Sequence, residues 1–191
     1  MLRRYGIKVA DHTVVGGGHT NTGIAAPLES LVIPLMKLSN NTMAEIFLFL
    51  KSIGKKSMNQ GSGSAGTQAT LGVLAMDGIN SESLVQVDGS GLSRYNLITS
   101  RMLTDILLAA RKKPWFAAFY ASLPVAGQPD RLIGGTLRNR MRGTAAEGKV
   151  IAKTGSFTEV SSLSGYVTAA DEYPFVFSIL LNNLIISPQI K

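Results

Sequence analysis

Apolar residues recur at helical spacing through the first two-thirds of the chain and at strand spacing through the last third. Leu28, Leu31, Val32, Leu35 and Met36 predict a helix from Leu28 to Lys37, with Pro34 limiting its turn. Ser39-Asn40-Asn41-Thr42 interrupts it. Met43, Ala44, Ile46, Phe47 and Leu50 then predict a second helix ending near Gly54, with Thr42 as N-cap and Glu45 completing a capping box. After a Ser- and Gly-rich loop from Lys55 to Ala65, a third helix is expected from about Gly66 to Met76, stopped by Asp77-Gly78. Leu84 to Val87 reads as a short strand leading into a turn-forming run, Asp88 to Arg94. A fourth helix begins at Asn96 or Thr99 and continues through Met102, Ile106 and Leu107 to Arg111. Pro114 opens a short helical piece from Trp115 to Tyr120, with Trp115 on its core side. Asp130 and Arg131 read as loop residues, and Thr136 to Met141 as one or two further helical turns.

The character changes after Gly148. Val150 and Ala152 alternate with Lys149, Ile151 and Lys153, the two-residue period of a half-buried strand. Ser161 to Thr168 and Pro174 to Leu181 carry strand patterns as well, with Asp171-Glu172 as the hairpin turn between them. Three strands after a helical middle give an α/β chain of the α+β kind, an antiparallel sheet flanked by helices. Residues 1–27 hold two short strand-like stretches, Tyr5 to Val9 and Thr13 to Val15, and a Gly-rich loop. We expect them to be a remnant of a preceding domain or linker, with residues 28–191 forming the domain proper.

Composition narrows the function. With 45% hydrophobic and 16% charged residues the chain has enough apolar surface for a core. The formal charge of +7 favours anionic partners: nucleic acid, wall polymers or acidic lipid surfaces. The basic residues fall into two small groups, Lys51/Lys55/Lys56 and Arg138/Arg140/Arg142, without interleaved aromatics for stacking bases, which argues against nucleic acid. There is no cysteine, so disulfides and thiolate metal sites are excluded. His12 and His19 stand without carboxylates at ligand spacing, and neither a metal nor a cofactor is expected. The basic start lacks an apolar run behind it and does not read as a signal peptide. The apolar stretch from Phe175 to Ile186 is too short to span a membrane and is split by Asn182-Asn183.

Candidate chemistry gathers at the exposed end of the first strand. Lys153, Thr154 and Ser156 offer one ammonium and two hydroxyls around Gly155, a set suited to a substrate carboxylate because charge-assisted hydrogen bonds are about twice as strong as neutral ones. Gly155 lacks a side chain where a second backbone would approach a sheet edge. Alone, Lys-Thr-Gly is a weak motif, more often a surface lysine beside a turn. Its company is Ser39-Asn40-Asn41, a Ser-x-Asn at a break before a helix, where serine can relay a proton and an asparagine amide can hold a carbonyl. Ser-x-Asn followed by Lys-Thr-Gly is the pattern of penicillin-interacting serine enzymes. Lys37 to Asn41, Asp88 to Asn96, Ser122 to Gly127, Lys149 to Ser156 and Leu163 to Val167 together resemble the D-alanyl-D-alanine carboxypeptidases/endopeptidases of the class C penicillin-binding proteins. The resemblance covers about residues 20–183.

The resemblance implies a penicillin-binding transpeptidase/β-lactamase-like fold and a serine-type carboxypeptidase. Ser39 would relay protons, Asn41 would hold the substrate's peptide carbonyl, and Lys153 and Thr154 would hold the terminal D-Ala carboxylate, with Ser156 adding a hydroxyl. The Ser156 N–H would form half of an oxyanion hole, worth about 3 kcal/mol of barrier. The implied partners are a peptidoglycan stem peptide ending in D-Ala-D-Ala, lying along the Lys153 strand, and β-lactams as inhibitors. The implied location is extracytoplasmic, in the cell envelope or secreted.

One element of the pattern is missing. The family's nucleophile lies in a Ser-x-x-Lys box upstream of Ser-x-Asn, and no such box precedes Ser39. Ser52-Ile53-Gly54-Lys55 matches by letters but follows Ser-x-Asn, and Ser57-Met58-Asn59 is a similar accident. The chain therefore reads as a C-terminal part, inactive alone, whose missing N-terminal half carries the nucleophile helix and first strands; its sheet would expose an unpaired edge. Asp88-Gly89-Ser90-Gly91 reads as a structural turn shaping the site, and Arg94 either pairs with a carboxylate or is solvated. Two other readings remain: a non-catalytic module binding peptidoglycan or anionic wall polymer, and a β-lactamase, against which no deacylating glutamate is identifiable.

Overall fold

The structure, a computed structural model, describes residues 27–53 and 62–184. The strand patterns at Tyr5 to Val9 and Thr13 to Val15, both histidines and Ser57-Met58-Asn59 lie outside the described residues, as does the Ser52 side chain.

Among the described residues five helices precede the sheet: α1 (Leu28–Leu38), α2 (Asn41–Ile53), α3 (Gly63–Met76), α4 (Ser100–Ala110) and α5 (Phe116–Ser122). Helix α1 runs through Pro34 and ends at Ser39, whose backbone turns left-handed with φ 52° and ψ 57°. That reversal lets α2 start two residues later. The cap of α2 differs from expectation: the Met43 N–H donates to Asn40 Oδ1 at 3.0 Å, so Asn40, not Thr42, is the capping residue. Glu45 closes no capping box. Its carboxylate instead accepts from the Gly89 N–H at 3.2 Å and the Ser90 N–H at 3.0 Å, fastening α2 to the loop that follows α3. Helix α3 starts three residues earlier than its apolar pattern suggests, because Ser62 Oγ accepts from the Ala65 N–H. Of the two starts considered for α4, Thr99 is the one used; its hydroxyl accepts from the Met102 N–H at 3.1 Å.

The sheet comprises β1 (Val150–Phe157), β2 (Val160–Thr168) and β3 (Pro174–Leu181), antiparallel in the order β1-β2-β3. Lys153 faces Ser164 and Gly155 faces Ser162 in register. Both faces of β1 are covered at its buried end. Val150 and Ala152 pack with Ala126 and Leu137, while Ile151 packs against Leu107, Leu123 and Tyr166. Tyr166 donates its hydroxyl to the Leu107 carbonyl at 2.8 Å, and burial pushes its pKa up to about 12. The outer edge of β1 is partly paired: the Ala152 N–H donates to the Pro124 carbonyl and the Ala126 N–H to the Val150 carbonyl, each at 2.9 Å. Residues 124–126 thus cover the edge expected to be unpaired as far as Ala152 and leave the Lys153 end open.

Three smaller expectations change. Leu84 to Val87 forms only an isolated bridge, Val85 to Leu97. Thr136 to Met141 contributes a single 3-10 turn, Gly135–Leu137. Trp115 is 52% exposed, lying edge-to-face on Phe119; Phe116 and Tyr120 of α5 supply the ring contacts to Tyr166 instead.

Candidate active site

Two elements far apart in sequence meet at the Lys153 end of β1. Lys153 Nζ donates to Ser39 Oγ at 2.7 Å and to the Thr154 carbonyl at 2.6 Å. Because the serine oxygen accepts from the ammonium, its own O–H remains a donor to a third group. Such an arrangement is able to relay a proton from the ammonium through the hydroxyl. Burial holds Lys153 below the ordinary lysine pKa of 10.5, which makes its proton easier to release. Ser39, Asn41 and Lys153 line one cavity of about 330 Å³ with the apolar side chains of Leu35, Met36 and Phe47. Gln86 lines it too, and its Oε1 is buried with no hydrogen-bond partner among the described residues.

Thr154 Oγ1 donates to Thr136 Oγ1 at 2.9 Å, so a second hydroxyl stands beside the one expected from the motif. The outward direction of the Ala152 N–H at the β1 edge, combined with the two-residue alternation of a ladder, turns the Thr154 and Ser156 N–H groups to the same edge. Ser156 is exposed there. A Cβ at position 155 would run into Ser162 Oγ from the neighbouring strand.

The Asp88 loop forms one wall. The Asp88 carboxylate accepts from the N–H groups of Gly91 at 2.6 Å and Ser93 at 2.7 Å and from Asn96 Nδ2 at 2.9 Å, which makes the run a structural turn. Among the described residues Arg94 pairs with no carboxylate; its guanidinium lies 4.9 Å from the Phe157 ring centroid, at the end of β1. Desolvation raises the Asp88 pKa, but the Asn96, Gly91 and Ser93 hydrogen bonds outweigh it and leave the group below its ordinary 3.8. A depressed folded pKa means support that is complete above the ordinary carboxylate value and lost as pH falls through the lower folded value. The ring-current shifts that Phe157 imposes on Arg94 protons, followed by NMR, should therefore persist at pH 6, weaken only at pH below the ordinary 3.8, and be lost already at pH 6 in Asp88→Ala.

The sequence reading missed three contributors: Thr136, Glu45 and Lys37. Thr136 gave no signal beyond a Gly-Gly-Thr turn, and Glu45 looked like a local cap. Lys37 is buried, with its Nζ on the Leu123 and Ile133 carbonyls.

Comparison with known proteins gives the family and the fold. The sequence model of the D-Ala-D-Ala carboxypeptidase 3 (S13) family matches residues 6–190. The chain belongs to this family. It is 45% identical over 174 residues to the D-alanyl-D-alanine carboxypeptidase of Actinomadura sp. (strain R39), covering 91% of this chain and 30% of that protein. It is 30% identical to a D-alanyl-D-alanine carboxypeptidase of Haemophilus influenzae, covering 83% of this chain and 32% of the relative. The crystal structure of penicillin binding protein 4 from Haemophilus influenzae superposes with a TM-score of 0.78 at 28% identity, over 86% of this chain and 36% of that one. The same protein complexed with a β-lactam gives a TM-score of 0.77. The S13-family chain thus spans about a third of the length of the relatives it matches. Its helices and antiparallel sheet are part of a penicillin-binding fold.

Proposed function

We propose that the chain supplies the Ser-x-Asn and Lys-Thr-Gly side of a serine-type D-Ala-D-Ala carboxypeptidase acting on peptidoglycan stem peptides. The observation that carries this reading is the 2.7 Å hydrogen bond from Lys153 to Ser39 beside the open β1 edge. A serine oxygen from outside these residues attacks the carbonyl of the penultimate D-Ala, and the Ser156 N–H steadies the oxyanion. The C–N bond then breaks, and the Lys153–Ser39 path delivers a proton to the departing D-alanine amine. Asn41 holds the peptide carbonyl, and Thr154 with Thr136 binds the terminal carboxylate. The proton of the attacking serine passes to a base outside these residues; water hydrolyses the resulting ester, whereas the ester formed when the serine opens a β-lactam ring persists. Such chemistry belongs outside the cytoplasm, where the stem peptides are.

Labelling with a fluorescent penicillin, read on a denaturing gel, tests this. The 191-residue chain alone should remain unlabelled, and joining it to the Ser-x-x-Lys-bearing part of the enzyme should produce label that disappears in Ser39→Ala. Label on the chain alone that is lost in Ser52→Ala would overturn the outside nucleophile. The net charge of +7 favours a second reading, a module that binds anionic wall polymer. Salt-sensitive co-sedimentation with wall material, without label in the joined enzyme, would favour that module instead.

A further inference from the structure

Two residues before Ser39 an ammonium is buried without a counter-charge. Lys37 is 3% exposed at the C-terminal end of α1, and among the described residues it makes no ion pair. Its Nζ donates to the Leu123 carbonyl and, at 2.8 Å, to the Ile133 carbonyl, 86 and 96 residues away in sequence. Burial lowers its pKa from the ordinary 10.5. A buried cation satisfied only by carbonyls is a costly way to fill space that a methionine would fill as well. What the ammonium adds is direction.

The two carbonyls belong to the segment that flanks β1. The Ile133 carbonyl also accepts from the Val125 N–H at 3.1 Å, and Pro124 and Ala126 pair with the β1 edge at Ala152 and Val150. On the same segment Gly135, with φ 54°, lies so close that a Cβ there would be 2.5 Å from the Lys37 carbonyl oxygen. The next residue, Thr136, is the partner of Thr154. Lys37 therefore joins the end of α1 to the segment that borders the Lys-Thr-Gly strand. Ser39 sits just past this joint in a left-handed conformation, which a non-glycine residue keeps only where its surroundings over-determine it.

We propose that Lys37 is a positioning residue: its ammonium clamps the end of α1 to the 123–136 segment and so sets the Ser39 hydroxyl against Lys153. This rests on the reading of that pair as the proton path of an acyl-transfer site. Lys37 touches none of the reacting atoms. The clamp acts through backbone placement, and its loss loosens the Lys153–Ser39 hydrogen bond without removing either partner.

The test uses side-chain ¹⁵N NMR of the lysine ammonium groups in the 191-residue chain. In the unaltered protein the Lys37 hydrogens should exchange with water far more slowly than those of surface lysines; exchange at the surface rate would overturn the clamp with no variant needed. In Lys37→Met that still unfolds cooperatively, the Lys153 ammonium hydrogens should exchange about tenfold faster. A lysine that merely stabilised the fold would lower the urea midpoint and leave Lys153 exchange unchanged, which also overturns the proposal. Because the chain has no cysteine, Lys37→Cys can be alkylated specifically while unfolded and then refolded. Alkylation with 2-bromoethylamine, which restores an ammonium, should return Lys153 exchange to its original rate, and neutral iodoacetamide should not. In the enzyme joined to its nucleophile-bearing part, Lys37→Met should slow penicillin acylation about 10- to 100-fold at unchanged half-saturation. If the unaltered joined enzyme takes no label, the functional reading fails, and the exchange rates still decide the clamp.

Discussion

Lys153→Met in the joined enzyme lowers the rate of penicillin acylation by about 10³-fold, as expected for loss of a positioned proton donor, while the fold stays at least as stable. The two halves of this expectation have one origin. Burial depresses the Lys153 pKa, so the folded state disfavours its charge. A group whose folded pKa lies below its unfolded value costs stability in full below the folded pKa, and that cost fades as pH rises from the folded to the unfolded value. Methionine has no such cost and fills similar space. Urea midpoints of the two proteins should therefore lie furthest apart near neutral pH, with Lys153→Met ahead, and converge toward pH 10. A variant that is inactive because it is unfolded would contradict the placement of Lys153 in a half-buried cleft. A variant that keeps its acylation rate would remove the lysine from the proton path.

Gly165→Val destabilises the chain by at least about 3 kcal/mol, as overpacking against backbone does. Gly165 faces Ala152 across the β1–β2 ladder, and both are buried. A Cβ at 165 would lie 2.6 Å from the Ala152 Cα and 2.7 Å from its Cβ, and would also strike the Ile151 carbonyl oxygen. None of these atoms is the free end of a flexible side chain, so the strands must separate where β1 carries Lys153. Gly155→Ala makes a sharp contrast. Its Cβ meets only the Ser162 hydroxyl, which can rotate away, and the expected cost is about 1 kcal/mol. Urea denaturation of both variants checks the pair, and equal midpoints would show the register to be wrong.

Local patterning was legible because its causes are local. The three strands, the helix after Thr99 and the stop at Asp77 follow from side-chain period and turn chemistry. Ser39, Asn41 and Lys153 could be picked out because motif and family resemblance pointed to the same letters, and the fold brings these three around one cavity. The failures share a different cause. Thr42 and Asn40 are both good caps, and the choice depended on the left-handed turn at Ser39, which no propensity at a serine foretells. Glu45 had a plausible partner three residues back; its real partners are 44 and 45 residues away. Arg94 found an aromatic face on a strand that lies 63 residues further along.

The sequence by itself determined the main helices and the antiparallel sheet of the last third, and it singled out Ser39, Asn41 and Lys153 as candidates, because each depends on side-chain period, turn propensity or residue type along a short stretch. Only the tertiary structure decided that a lysine ending an amphipathic helix is buried on two backbone carbonyls, and that Thr136 stands beside Thr154. In sequence, Lys37 looks like any solvated cation complementing a helix C-terminus. Whether such a group faces water or carbonyl oxygens depends on a segment nearly a hundred residues distant, and nothing local to α1 encodes where that segment folds.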